Sequence, residues 1–378
     1  MRIARADLYE LTLPLVEPFV ISGGSIAERR SLIVVLHDDA GRTGYGESPP
    51  FHLPFYSEET LTSARDLIER VLLPRVVGRE HDSPETLDTL LCEGVRGNWF
   101  ARAGIETAVW DLEAHIRGTG LATLLAERLA TRSAATVDCG VALGIPPERS
   151  PEVLTRWVYE ALRTGYRRVK IKVAPGWDAA AVAAARAGMA GTDVPLTVDA
   201  NGAYEWPRDE TALRGLDDAG LLYIEQPLAP DEIVGHAELG RVLRTPVCLD
   251  ETLRDARAAR QIVALQGPKI WNIKVHRVGG LSEVCRIYRI AEAYGAELWA
   301  GTMPESGIGS QAALAAASLP RFVYPSDLEP SARWYGRNTD VIKLAMGKDG
   351  RMAVPQQSCG RLLDPGRFRA AARLIYSE

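Results

Sequence analysis

Lysine is nearly missing from this chain. Only six of its 44 basic residues are lysine (Lys170, Lys172, Lys269, Lys274, Lys343 and Lys348), so 38 are arginine. Arginine serves wherever a permanent positive charge suffices, but it cannot release its proton, whereas a desolvated lysine can. Three of the six lysines (170, 172 and 274) fall in one stretch, a clustering that points to proton transfer rather than to solubility. Cysteine is also sparse: five residues (92, 139, 248, 285, 359), odd in number and scattered, with no Cys-x-x-Cys pair. They exclude a disulfide framework and read as free thiols of a reducing cytoplasm. No apolar run approaches the length of a membrane helix, and the charged start MRIARADLYE is unlike a signal peptide. A net charge of −5 argues against nucleic acid or an anionic membrane surface as partner. The six histidines show no ligand spacing; only His52 and His276 are placed to approach a pocket. What remains is an ordinary soluble composition, 46% apolar and 25% charged over 378 residues, long enough for two or three domains.

Between residues 170 and 274, five short apolar runs each carry a charge at or near their end: RRVKIK (Lys172), LTVDAN (Asp199), LYIEQP (Glu225), VCLDE (Asp250) and IWNIK (Lys274). The charges recur at intervals of 27, 26, 25 and 24 residues, which suits one strand, one helix and two loops per unit. Parallel strands in a barrel end at one shared mouth, so three carboxylates flanked by two lysines converge there. Such carboxylates repel unless a cation neutralises them, and an all-oxygen set suits a hard ion, Mg²⁺ foremost and Mn²⁺ as the alternative. Asn201 and Gln226 stand beside the set. Lys170 and Lys172, two apart on a strand, face the same way, into the barrel, where burial is expected to lower a lysine pKa. Lys274 falls across the pocket. Two lysines on either side of a metal-bound carboxylate suit removal and return of the proton α to it, the metal stabilising the enolate.

In chain order, residues 1–48 read as a β meander with a hairpin at Asp38–Gly41, and 18–30 as a connection or lid. Ser57 with Glu58 and Glu59 is expected to cap a helix running to Leu73, followed by helices over 84–93 and from Asn98. From Ala134, eight strand candidates alternate with helices: 135–143, 167–173, 194–200, 221–226, 246–250, 269–275, 296–301 and 321–325. The tail shows helix signal only near its end. The expected fold is therefore α/β, a (β/α)₈-type barrel with an N-terminal α+β capping domain. The division is 1–125 for the cap, 126–325 for the barrel and 326–378 for a segment packing back on the cap. The aromatic run Phe51, Phe55, Tyr56 reads as cap core.

The Lys170-Ile171-Lys172 motif, the Asp-Glu-Asp set and the sixth-strand lysine resemble the enolase superfamily, in its muconate-lactonizing subgroup. That pairing of a Lys base with Mg²⁺ is a recognised pattern of the superfamily. The resemblance implies Lys172 and Lys274 as acid/base residues and Lys170 as a neighbour tuning their charge. TVDANGAY, NIKVHRVGG and GTMPESGIGSQAALAAASLP are similar to the o-succinylbenzoate synthase and N-succinylamino acid racemase group. Substrate contacts are then expected at Met303, Glu305, Ser306, Gly307 and Ile308, and at Ser22 in the lid. The Gly-rich helix start at 305–309 is a candidate anion or amide cradle. The chain departs from the group at 21–24, at Ala142 where a hydroxyl is common and at Ser310 where arginine is usual, and no Asp-x-Asp follows the eighth strand. The implied protein is a cytoplasmic homo-oligomeric lyase or racemase acting on a small carboxylate. The alternatives are a muconate-type cycloisomerase and, from another class, a non-catalytic scaffold.

Overall fold

A computed structural model describes residues 1–21, 24–336 and 339–378. Ser22, the expected lid contact, lies outside them. Strands β1 (Ile3–Ile21), β2 (Gly24–Asp38) and β3 (Thr43–Ser48) form the expected meander, but 18–21 and 24–30, read as part of a connection or lid, extend its first two strands instead. Asp38 makes the turn between β2 and β3: its Oδ1 accepts from Ala40 N (2.9 Å) and Arg42 N (2.8 Å), and Gly41 takes φ +76°. The helix Trp99–Arg117 lies directly on this sheet. Gly44 and Gly46 permit the approach, since a Cβ at Gly46 would stand 2.1 Å from Gly104 O.

The helix expected to be capped by Ser57 starts later, at Leu61. Thr60 and Ser63 cap each other's backbone amides reciprocally (3.2 and 2.9 Å), whereas the Ser57 hydroxyl donates to Glu59 O (3.3 Å). Glu59 is occupied elsewhere: its two oxygens accept from Phe100 N and Ala101 N, both at 3.0 Å, at the start of the long cap helix.

The barrel strands are β5 (Gly140–Leu143), β6 (Arg168–Lys172), β7 (Leu196–Asp199), β8 (Ile224–Glu225), β9 (Val247–Leu249), β10 (Ile270–Ile273) and β11 (Glu297–Ala300). They are parallel and hydrogen-bonded in sequence order. Two strand expectations need correction. The first candidate divides: β4 (Thr136–Asp138) leaves the barrel to pair antiparallel with β12 (Arg351–Ala353), and only β5 joins the ring. The eighth, at 321–325, is reduced to isolated bridges, Leu298 with Phe322 and Cys139 with Ser326. Pro325 has no N–H to donate to a ladder, yet Val323 N→Leu298 O (3.0 Å) and Gly140 N→Ser326 O (2.7 Å) still close the circle.

Alternation within the strands layers the interior. A lower floor of Tyr223, Cys248, Ile270 and Trp299 is buried and apolar in packing. One pleat above it, Asp199, Glu225, Asp250 and Lys274 are buried at the mouth. The tail ends in β13 (Ala372–Ser377) after a helix over Pro365–Ala371, and β13 pairs antiparallel with β1, making the cap sheet four-stranded in the order β13-β1-β2-β3. No described helix is long and apolar enough to cross a membrane.

Candidate active site

The three carboxylates meet. Asp199 ends β7, Glu225 ends β8 and Asp250 follows β9, and one oxygen from each lies within 4.8 Å of the others. Left-handed backbone at Asn201 (φ +46°) and Gln226 (φ +39°) turns the chain away just past the first two. Asn201 N donates to Asp199 Oδ1 (3.0 Å), and Asn272 Nδ2 to Glu225 Oε1 (2.8 Å). Gln226 points away from the set. Its Oε1 accepts from Asp250 N (3.0 Å) and Thr252 N (3.2 Å), and so fixes the loop that carries Asp250.

Cations surround the set from both sides. Lys170 Nζ lies 3.0 Å from Glu225 Oε2, 2.6 Å from Asp327 Oδ2 and 3.4 Å from Asp199 Oδ2. Lys172 donates to Asp199 Oδ2 (2.5 Å) and Asn201 Oδ1 (2.6 Å). On the far side Lys274 Nζ stands 3.0 Å from Asp250 Oδ2 and 2.8 Å from Tyr56 OH, while Arg277 pairs with Asp250 Oδ1. Both halves of the lysine pair thus reach the carboxylates, from strands on opposite flanks.

The expected lowering of lysine pKa by burial is not what the charges produce. Desolvation does pull Lys170 down, but Asp327, Glu225 and Asp199 together outweigh it and raise the group. Lys274 is likewise raised: desolvation opposes, and Tyr56 and Glu251 prevail. Asp199 shows the converse: burial favours its neutral form, yet the ammonium groups of Lys172 and Lys170 hold it below the usual carboxylate range. Glu225, buried and facing Asp199, is raised.

A hard cation fits this donor set. Glu225 Oε2 and Asp250 Oδ2 are buried without a hydrogen bond of good geometry, although each has a lysine ammonium at 3.0 Å. Three converging carboxylate oxygens with spare lone pairs make a ligand set that could hold a divalent ion.

The pocket above the carboxylates encloses about 240 Å³. Lys170, Lys172, Lys274, Asn201 and Met303 line it, as expected. So do Phe51, Phe55 and Tyr56, which are pocket wall as well as cap core: Phe51 and Phe55 stack at 4.7 Å, and Tyr56 meets Lys274. The Gly-rich helix start is not brought to the pocket. Its amides are consumed within the protein: Ser306 N and Gly309 N donate to Glu47 (3.1 and 2.9 Å), Gly307 N to Asp340 (2.9 Å), and Ile308 N to Ser306 Oγ (3.2 Å). Glu305 pairs with buried His276 (3.0 Å), and Ile308 packs in an apolar cluster with Leu11 and Ile33. None of these four residues borders the main pocket.

Sequence reasoning missed Glu251, Asp327 and Glu329, all of which line the pocket. Glu251 adjoins Asp250, and its Oε1 accepts from Asn201 Nδ2 (2.9 Å), the amide whose oxygen receives Lys172. Asp327 and Glu329 form Asp-Leu-Glu after the eighth strand, a pair of acids two apart that a search for Asp-x-Asp passes over.

Residues 6–126 match the mandelate racemase / muconate lactonizing enzyme N-terminal domain, and 154–360 the enolase C-terminal domain-like family. The chain is 42% identical to an N-succinylamino acid racemase of Thermus thermophilus over 94% of its length and 93% of that protein's. It is 38% identical to an o-succinylbenzoate synthase of Bacillus subtilis, covering 90% and 88%. A solved enolase-superfamily structure from Listeria innocua superposes with a TM-score of 0.91 at 32% identity, over 100% of this chain and 98% of that one. With both domains matched and the barrel carrying its acids and lysines in register, the chain belongs to the enolase superfamily, as an enzyme of its mandelate racemase / muconate lactonizing branch.

Proposed function

We propose that the protein is a Mg²⁺-dependent lyase or racemase that removes the proton α to a small-molecule carboxylate, of the o-succinylbenzoate synthase / N-acylamino acid racemase type. Mn²⁺ is the alternative ion. The observation that carries the reading is the placement of Lys172 and Lys274 on opposite flanks of the Asp199, Glu225, Asp250 set, within 2.5 and 3.0 Å of its first and last members.

The ion held by the three acids would supply counter-charge for the enolate. The chain's own residues do the rest. The substrate carboxylate enters a mouth ringed by ammonium groups. Lys172, oriented by Asn201, takes the α-proton from one face in its neutral form, while Lys274, held by Tyr56, stands as an ammonium on the other. Donation by Lys274 and re-protonation on that face inverts the centre; syn elimination uses Lys172 alone, with Lys274 a static cation. Lys170, tied to Asp327 and Glu225, keeps a fixed positive charge below the reacting carbon. Phe51, Phe55 and Met303 exclude water over the site.

The cap (1–125), barrel (126–325) and returning segment (326–378) are the working division. Five free cysteines, four of them buried, support a cytoplasmic setting; a homo-oligomer without nucleic-acid partners is read from the family resemblance and the charge, and sedimentation tests it. Incubating N-acylamino acids and the cyclohexadiene substrate of the synthase in D₂O tests the chemistry. Exchange or turnover that stops in excess chelator is expected, and full activity in chelator would sink the metal assignment.

A further inference from the structure

Resting on that reading, we propose that Arg29 is a positioning residue that joins the two halves of the apolar pocket wall, and so sets how firmly the substrate's apolar part is held. The wall is composite. Phe51 comes from the cap and Met303 from the loop after β11, and both line the pocket. They are buried in one cluster with Ile26 and Phe100. Arg29 itself does not line the pocket, so it acts on a substrate only through this wall.

The strand β2 fixes where Arg29 stands. It pairs with Leu13 of β1, one pair inside the break in register between Pro14 and Phe19, and so belongs to the body of the cap sheet. Only 3% of its surface is exposed, and its donors go to backbone carbonyls. Nε donates to Pro304 O (3.0 Å), Nη1 to Pro50 O (3.2 Å) and Arg30 O (2.9 Å), and Nη2 to Pro49 O. The guanidinium also lies over the ring of Phe51, 4.7 Å from its centroid. Burial pulls its pKa down, and Tyr335, Glu47 and Glu305 oppose the shift. The partners explain why this charge is buried. Pro49, Pro50 and Pro304 have no N–H, so neither loop can be tied down through amides at those positions. A planar fork of five donors reaches the carbonyls of both loops at once. Tyr335 OH, shared between Pro304 O (2.8 Å) and Glu305 O (2.9 Å), steadies the barrel half only. Arg29 is the group that spans the seam between cap and barrel.

Arg29→Met keeps the stem and removes the fork. Exchange of the α-proton in D₂O is measured with the N-succinyl derivatives of phenylalanine and alanine, whose side chains cover much and little of the wall. KM for the phenylalanine compound is expected to rise at least tenfold and KM for the alanine compound less than threefold. For both, kcat should stay within threefold, because the lysines and acids are untouched. Arg29→Lys, which keeps the charge and some donors, should recover at least threefold of the lost KM. A second readout needs no substrate. Amide hydrogen exchange should speed up at least tenfold in peptides spanning 49–56 and 302–306 for Arg29→Met, and in 302–306 only for Tyr335→Phe, with the helix Leu281–Tyr294 unchanged. Wall peptides that exchange as in wild type overturn the proposal. So does faster exchange throughout the chain, or a fall in kcat at constant KM, either of which makes Arg29 a general stabiliser. Loosened wall peptides with KM unmoved overturn the link to substrate. If the wild type acts on neither compound, the acylamino acid reading fails, and amide exchange decides the role of Arg29. Should Arg29→Met not fold, Arg29→Lys and Tyr335→Phe are compared in the same two assays.

Discussion

Glu47→Gln tests how cap and barrel are locked together. Glu47 is fully buried on β3 and accepts from Ser306 N (3.1 Å), Ser306 Oγ (2.5 Å) and Gly309 N (2.9 Å), capping a barrel helix from another domain. Glutamine keeps one acceptor oxygen and turns an NH₂ toward donors that need acceptors. At roughly 1.5–3 kcal/mol for each charge-assisted bond lost or left unsatisfied, two such losses cost about 3–6 kcal/mol. Unfolding entropy of about 2.1 cal/mol/K per residue over 378 residues is roughly 0.8 kcal/mol/K, so Tm should fall by about 4–8 °C. Ser306→Ala, which removes the Oγ bond to Glu47 as well as the hydroxyl cap on Ile308 N, should cost about 2–4 kcal/mol, roughly 3–5 °C. Calorimetry on the three proteins side by side decides it. A Glu47→Gln protein melting within a degree of wild type would show that the interdomain cap contributes nothing and that the bond count misleads.

Metal at 100 times its Kd should add about 2.7 kcal/mol of stability, a rise of roughly 3 °C that chelator reverses; Asp250→Asn should melt alike in both, and a variant still responding would remove Asp250 from the ligands. Lys172→Ala and Lys274→Ala should each abolish α-proton exchange preferentially for one enantiomer, by about 10²–10⁴-fold; loss of both enantiomers equally in both variants, or of neither, contradicts the two-base arrangement. Glu106 accepts from Leu281 N, Ser282 N and Trp110 Nε1, and burial, with Asp88, raises its carboxyl from 4.5 to about 7. The folded chain then holds a proton that the unfolded chain has released, so this group's contribution is complete below pH 4.5 and is lost as pH rises to about 7. Urea midpoints between pH 5 and 8 should slope less steeply for Glu106→Gln than for wild type; parallel slopes would refute the assignment.

The charges at 172, 199, 225, 250 and 274 were legible because each is fixed by its own βα unit, and the spacing of units is a local property. What depended on distant partners was not. The Gly-rich start at 305–309 has the composition of a ligand cradle, but its amides are filled by Glu47, more than 250 residues earlier, and by Asp340. Periodicity cannot report that. Phe51 and Tyr56 have the apolar character of core, and only the docking of cap on barrel makes them pocket wall beside Lys274. The lysine pKa direction failed for the same reason: burial was visible in the strand pattern, whereas the contribution of Asp327, from a segment with no regular strand, was not.

The pairing of β13 with β1 joins residues as far apart as Asp7 and Ser377. A ribosome therefore delivers three strands of the cap sheet long before the fourth, with every barrel strand emerging in between. Leu8, Leu32 and the helix over 99–117 can assemble early, but the outer edge of β1 stays open until synthesis has passed residue 372. An unpaired strand edge invites foreign partners, so the interval between making β1 and making β13 is when this chain is most exposed to misassembly, and a ribosome stalled within the barrel would hold it there.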